Sequence, residues 1–398
     1  MTLTQLVTTL VESSNKSEQS EIFYGHNGHK IKIYQRSVRI HDDILFFIGR
    51  ENNEKYLYSV ANSETKSVIN DFDCEPIQKN IFGYSLRATR CLMNHKNSKL
   101  LRELFPFTRP VLMGLADSFG FGDRLGIANP AHLRSLVGSH MRPVLAQQSI
   151  RELERTQRTA EDVLDAASWA VFQEGYTGGF GADADHLKTI EDIDRYARAG
   201  FTMFTFDPSA YVVNEAAKLP IADVLKRLQD IDTGNLQLDE VLSRYVNRSI
   251  KLSDDLAIET DKDFITRVFL KYAGVVAHTV RLYKHLKHTY PSLPTEVEMS
   301  VDETDSPTTP FEHFFIASEL KREGVQFVSL APRFIGDFEK GVDYRGDINL
   351  FAAEYKQHAS IAQMVGPYKI SIHSGSDKFG VYKIRTFVHE KGCRWRLK

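Results

Sequence analysis

From about residue 109 the chain alternates short apolar segments with helix starts, and this alternation limits the fold more than any other feature of the sequence. Residues 111–115, 143–147, 180–184, 201–206, 296–301, 325–330 and 368–373 read as seven strands. Helix signals fall between them. Thr159 opens one that Gly175 stops, with Val163, Ala166, Ala167, Ala170 and Val171 on one stripe. Thr189 with Asp192 forms a capping-box signal, and that helix ends at Gly200. Thr309-Pro310-Phe311-Glu312 is another start, with Thr as N-cap, Pro at the first position and Glu at the third. Longer helices are expected over 263–288 and 349–364, and residues 209–260 read as an insertion with helical segments near 222–228 and 238–246. Strands alternating with helices favour a parallel sheet, and the count points to a TIM-type (β/α) barrel, an open doubly wound sheet being the alternative.

The region before the alternation has a different grammar. Residues 1–20 hold a short helix signal and then a polar stretch, expected to be a mobile N-terminus. Residues 21–105 read as a β-rich accessory region. Asn27-Gly28 lies between Phe23-Tyr24 and residues 31–34, and the polar turn at 50–54 separates residues 44–48 from 56–60, so two hairpins are expected. Nothing here resembles a signal peptide or a membrane span. With 26% charged residues and a net charge of −2, there is no electrostatic case for nucleic acid or an anionic membrane surface. Three scattered cysteines indicate neither a disulfide framework nor a zinc ribbon, and the default is a cytoplasmic protein.

A barrel collects its chemistry at the carboxyl ends of its strands. Those positions carry Asp123 and Arg124 after the first strand, Gln147, Gln148 and Arg151 after the second, and Asp183, Asp185, His186 and Lys188 at the third. Asp183 and Asp185 share one face by the two-residue period, so His186 joins them only if the chain turns there. Asp207 follows the fourth strand. In the fifth, Glu296, Glu298, Ser300 and Asp302 alternate with Val297, Met299 and Val301, a polar file that is costly to bury unless paired or coordinating. His313 lies in the next helix's first turn, Arg333 follows the sixth strand, and His373, Ser374 and Lys378 end the seventh. A lone histidine is usually structural. His186, His313 and His373 converging on one rim would instead suit a divalent cation with an open position. His278, His285 and His288 are expected on an outward helix face. The glycine-rich runs lack dinucleotide spacing and a Walker lysine. The turn at 373–376 reads equally as an anion-binding nest beside Lys378 or as a simple tight turn.

Taken together, residues 120–126, 146–152, 181–188, 297–303, 330–334 and 372–378 resemble the tagaturonate epimerase family, in order and across roughly residues 109–379. The resemblance implies a barrel, a divalent metal, bacterial hexuronate catabolism, and a small-molecule hexuronate as partner. It assigns the metal to His186, His313 and His373 and the acid–base pair to Asp185 and Glu298, the last chosen over Glu296. Asp123, Arg124, Gln148, Arg151, Lys188, Arg333, Ser374 and Lys378 are the candidate substrate contacts, with no choice among the basic ones for the carboxylate. The substrates differ at C4 while the ketone is at C2, so the C4 hydrogen is not the acidic one. A retro-aldol break of C3–C4, with the metal acting as a Lewis acid, is the expected route to inversion.

The resemblance is expected to fail after Phe379. Residues 380–398 show no helix or strand pattern, and Lys383, Arg385, Lys391, Arg394, Arg396 and Lys398 there oppose one acid, Glu390. The expectation is an aberrant basic tail and a barrel missing its last β/α unit, with two unpaired edges and poor stability. Another metal-dependent barrel enzyme, such as an aldolase or sugar isomerase, or an inactive truncated relative, are the alternatives. Oligomeric state is not legible.

Overall fold

The computed structural model describes residues 2–12, 21–26, 29–62, 71–77, 82, 86–253, 256–375, 377–389 and 395–398. They form two units, the first comprising Met1–Val111, Gly122–Ser139 and Leu153–Phe180, the second Leu112–Phe121, His140–Glu152 and Gly181–Lys398. Residues 13–20, expected to be mobile, and the Asn27-Gly28 turn lie outside the described residues.

The first unit is built on an antiparallel sheet of β1 (Glu21–His26), β2 (His29–Tyr34), β3 (Arg39–His41), β4 (Ile44–Glu51), β5 (Glu54–Asn62), β6 (Cys74–Pro76) and β7 (Leu86–Cys91). Both expected hairpins form, as β1–β2 and β4–β5. Residues 44–48 of β4 are an unbroken apolar run because both faces of the sheet are covered. On one face Leu45, Phe47, Tyr58 and Val60 pack with Leu6 and Leu10 of α1 (Leu3–Glu12). On the other, Ile44, Phe46 and Ile48 meet Leu101 of α2 (His95–Leu104). The helix opened by Thr159 also serves that second face, contributing Trp169 and Phe172, so the accessory region draws on sequence far beyond residue 105. Against the expectation of no disulfide, the β6–β7 register sets Cys74 opposite Cys91 and the two sulfurs are bonded. This unit also holds α3 (Asn129–Ser135), while α4 (Ile150–Thr156) precedes the Thr159-capped α5 (Ala160–Glu174).

The second unit contains a closed parallel barrel of β8 (Ser118–Gly120), β9 (Arg142–Ser149), β10 (Gly181–Leu187), β11 (Met203–Phe206), β14 (Glu296–Val301), β15 (Ser329–Pro332), β16 (Lys369–Ile372) and β17 (Trp395–Leu397). The helices α6 (Ile190–Ala199), α9 (Lys262–Thr289), α10 (Pro310–Arg322), α11 (Ile348–Val365) and α12 (Phe379–His389) alternate with its later strands, and the insertion supplies α7 (Ile221–Arg227), α8 (Leu238–Tyr245) and the hairpin of β12 (Ser249–Ser253) and β13 (Leu256–Glu259). Capping boxes form at Thr189 and Thr309, and Gly200 closes α6 in the left-handed region at φ 93°. Among the described residues no helix is long and apolar enough to cross a membrane.

Three expectations need correcting here. Residues 111–115 form no strand; Val111, Leu112 and Leu115 are exposed, and the first strand is β8. The sixth strand starts later, at Ser329, because Lys369 and Ser329 set the pairing with β16. The tail is neither aberrant nor without structure: β17 pairs Ile370 and Ile372 on one side and β8 on the other, supplying the eighth strand. The barrel therefore has no open edge, and the predicted instability loses its physical basis.

Candidate active site

The inner face of the barrel is polar in layers, because the two-residue period sends alternate side chains inward from every strand. In the lowest layer Glu296 accepts hydrogen bonds from the Met113 and Gly114 amides, and Lys369 reaches Ala116 O and Ser118 Oγ. One layer up, Asp183 and Glu298 are fully buried around Arg396. Arg396 Nη2 donates to Asp183 at 2.6 Å and Nη1 to Glu298 Oε2 at 3.1 Å. Thr205 and Gln147 donate to Asp183 at 2.8 and 3.2 Å, and Ser329 donates to Glu298 at 2.5 Å. Gly120 leaves room for Gln147: a Cβ there would lie 2.2 Å from its Oε1.

The upper layer lies where the strands end. β10 is interrupted between Ala184 and Leu187, and His186 sits there at φ 54° in the left-handed region. This is the turn that lets Asp185 and His186 serve one place. Asp185 Oδ1 lies 2.6 Å from His186 Nδ1, and Glu298 Oε1 lies 2.8 Å from His373 Nε2. Each carboxylate thus occupies one nitrogen of one imidazole and leaves the other facing Asp302. His373 Nδ1 is 3.1 Å and His186 Nε2 4.0 Å from the Asp302 carboxylate, and the two rings are 5.0 Å apart. Ser300 holds Asp302 in place from two residues before it. Ligand atoms of His186, Asp302 and His373 lie within 4.8 Å of one another, and His186 with Asp207 and Glu303 forms a second such group. Buried His373 Nδ1 faces Asp302 at 3.1 Å without a well-aligned hydrogen bond, and a cation between the two would satisfy both. Two imidazoles and a carboxylate, each imidazole braced on its far side, fit a borderline or hard divalent cation.

The electrostatics agree with this layering. Burial pushes Asp185 up, but Lys398 and His186 outweigh it and hold the carboxyl well below its ordinary value. Burial also opposes ionisation of Glu298, against Arg396 and Lys398, with the same net direction. His373 is disfavoured as a cation by burial, yet Asp302 and Glu298 raise it to about 9. Lys398 bridges the layers: it pairs with Asp185, lies 3.2 Å from Asp183 and 3.5 Å from Glu298, and donates to Thr205 at 2.9 Å.

The structure brings together Asp185, His186, Glu298 and His373. It does not bring His313 to them. That ring is fully buried on α10, with Nδ1 2.8 Å from His358 Nδ1 on α11 and Nε2 2.8 Å from the Tyr368 hydroxyl. Both nitrogens are occupied away from the rim, and burial holds the ring well below its ordinary pKa, His358 adding to the effect. Asp302 stands where His313 was expected. Asp123 caps its own loop, accepting from the amides of Gly126, Ile127, Ala128 and Asn129, and Arg124 bonds Gly122 O. Gln148 is buried and its carbonyl accepts from Tyr196, Arg151 is exposed on α4, and Ser374 turns the chain at φ 51°. Lys188 is 3.1 Å from Asp207 and 3.5 Å from Glu303. Lys378 is buried and donates to Glu339 O. His278, expected outside, is buried, bonded to Lys188 O and stacked on Tyr211. Arg396 and Lys398 were missed, hidden in a run that reads as solvated charge; Asp302 carried a signal, sharing the inward face of Glu298.

Comparison with known proteins follows the same lines. The family model for tagaturonate epimerase matches residues 34–398. The tagaturonate/fructuronate epimerase of Thermotoga maritima is 44% identical over 378 residues, spanning 95% of this chain and 75% of the relative. The native crystal structure of the fructuronate-tagaturonate epimerase from Cohnella laeviribosi superposes with a TM-score of 0.83 at 34% identity, covering 99% of this chain and 74% of that one. Its one-glycerol complex gives a TM-score of 0.82 at the same identity, with 99% and 75% covered. The barrel with its polar core, the rim cluster and these relatives lead to one assignment: the chain belongs to the tagaturonate epimerase family, a family of isomerases.

Proposed function

We propose that this protein interconverts tagaturonate and fructuronate by inverting C4, at the rim formed by Asp185, His186, Asp302 and His373. The observation that carries the reading is the opposed bracing of the two imidazoles, His186 by Asp185 and His373 by Glu298, around one carboxylate. His186, Asp302 and His373 would hold a divalent cation, which supplies Lewis-acid stabilisation of charge developing on the substrate's oxygens.

Asp185 is the acid–base group suited to meet the substrate: its side chain is 15% exposed, and Lys398 and His186 hold it in the ionised form that can accept the C4-hydroxyl proton. Glu298 was expected as its counterpart. Its side chain has no exposure and its oxygens are taken by His373, Ser329 and Arg396, which suits it to fixing His373 from below. Lys398 ties the two carboxylates together and keeps both charged. With the hydroxyl proton removed, C3–C4 breaks, C4 becomes an aldehyde, and the bond re-forms on its opposite face. Turnover of tagaturonate in deuterated water tests the scheme. Fructuronate that retains its C4 hydrogen supports it; deuterium at C4 would show deprotonation at carbon and reject the bond-breaking route.

A further inference from the structure

Inversion by bond cleavage creates a problem of retention. When C3–C4 breaks, its electron pair stays with C3 and the molecule is momentarily two pieces: a C1–C3 enediolate and a C4–C6 aldehyde that carries the C6 carboxylate. The first is held at its oxygens near the rim cluster. The second must turn to present its other face, then accept the same electron pair back and regain a proton on its C4 oxygen. An epimerase differs from an aldolase in keeping that second piece, and its one strong handle is the carboxylate.

We propose that Arg333 is that handle, binding the C6 carboxylate and retaining the aldehyde fragment while it turns; this rests on the epimerase reading above. The inward face of β15 runs through Ser329, which bonds Glu298, and Ala331, and the two-residue period brings Arg333 next. In the β14–β15 register Val301 is opposite Pro332, so Asp302 and Arg333 follow each other's strand ends; carried three residues past its last pair, Leu330 with Ile370, the β15–β16 register brings Arg333 to the level of His373. Arg333 therefore leaves its strand at the level where its neighbours β14 and β16 deliver two of the three proposed cation ligands. Its backbone is pinned on both sides to Thr308, with N–H to Thr308 Oγ1 at 3.0 Å and Thr308 N–H to its carbonyl at 2.8 Å. Arg333 is half-buried, and its guanidinium has no hydrogen-bond or ion-pair partner among the described residues.

The lysines at this rim are committed, and Arg151 is exposed on α4. Lys188 is paired with Asp207 and Glu303, Lys378 with Asp377 and Glu339 O, and Lys398 with three carboxylates. A fixed main chain with an unengaged planar fork is suited to bidentate capture of a carboxylate. An attachment through C6 leaves the C4–C5 bond free to rotate, which is the motion inversion requires.

The test compares two small inhibitors that mimic the two pieces. Glycerate carries the carboxylate of the C4–C6 fragment, and dihydroxyacetone mimics the C1–C3 fragment. In Arg333→Gln the inhibition constant for glycerate should rise by about tenfold or more while that for dihydroxyacetone stays unchanged. Turnover by the same variant should release the three-carbon aldehyde acid into solution, where the unaltered enzyme keeps it. A glycerate constant within twofold of the unaltered enzyme, or both constants rising together, would overturn the assignment. The inhibitor comparison decides the role of Arg333 even if deuterium labelling rejects the cleavage route, so the two failures are distinguishable.

Discussion

Arg396 Nη2 lies 2.6 Å from Asp183 Oδ2 with neither side chain exposed, an ion pair that joins the eighth strand of the barrel to the third. Removing one partner of such a buried pair costs up to about 3–5 kcal/mol, and here Lys398, 3.2 Å from Asp183, offsets only part of it. Arg396→Met is expected to lose stability on that scale because Asp183 and Glu298 are both left facing each other. Urea denaturation of the full chain measures it; a loss below about 1 kcal/mol would mean that residues 395–397 do not close the barrel.

The two braced imidazoles are expected to separate chemistry from metal affinity. Asp185→Asn should abolish turnover while a saturating divalent cation still binds. Glu298→Gln should weaken cation binding about 10- to 100-fold, the usual effect of losing the group that orients a histidine ligand. Calorimetric titration with Mn²⁺ alongside the epimerisation assay checks both. Turnover retained in the Asp185 variant would remove it from the proton-transfer role.

His313 is expected to matter for stability alone. Replacing it with Leu removes the hydrogen bond at His358 Nδ1, at about 1–3 kcal/mol for a buried polar group left unsatisfied. Bound-metal content, measured by mass spectrometry of the purified variant, should equal that of the unaltered protein.

Lys369 gives the barrel a pH signature. Burial, with Arg396 nearby, lowers its pKa to about 8, against roughly 10.4 in an unfolded chain. Between those values the unfolded chain binds more protons, so this group makes stability rise with pH; its contribution is fully present above about 10.4 and lost as pH falls through about 8. The difference in urea midpoint between the unaltered chain and Lys369→Met should therefore change across that window. A constant difference would place the ammonium in water.

Much of this was legible in the sequence, and the exceptions have physical causes. Capping boxes at Thr159, Thr189 and Thr309 use local contacts, so their signals survive without tertiary information. The polar file of β14 and the turn at His186 were readable from period and composition. β17 was not, because three residues are too short to show a period and Arg396 is inward only once Asp183 and Glu298 surround it. His313 was misplaced because helix start alone does not set which way a first-turn side chain faces; packing of α10 on α11 does.

On the reading proposed above, His186, Asp302 and His373 hold one divalent cation. Anomalous diffraction from crystals grown with Mn²⁺ tests it most directly. The expected result is a single strong peak bounded by His186 Nε2, His373 Nδ1 and an Asp302 oxygen. A peak beside His313, or none at the rim with these three side chains in place, would contradict it.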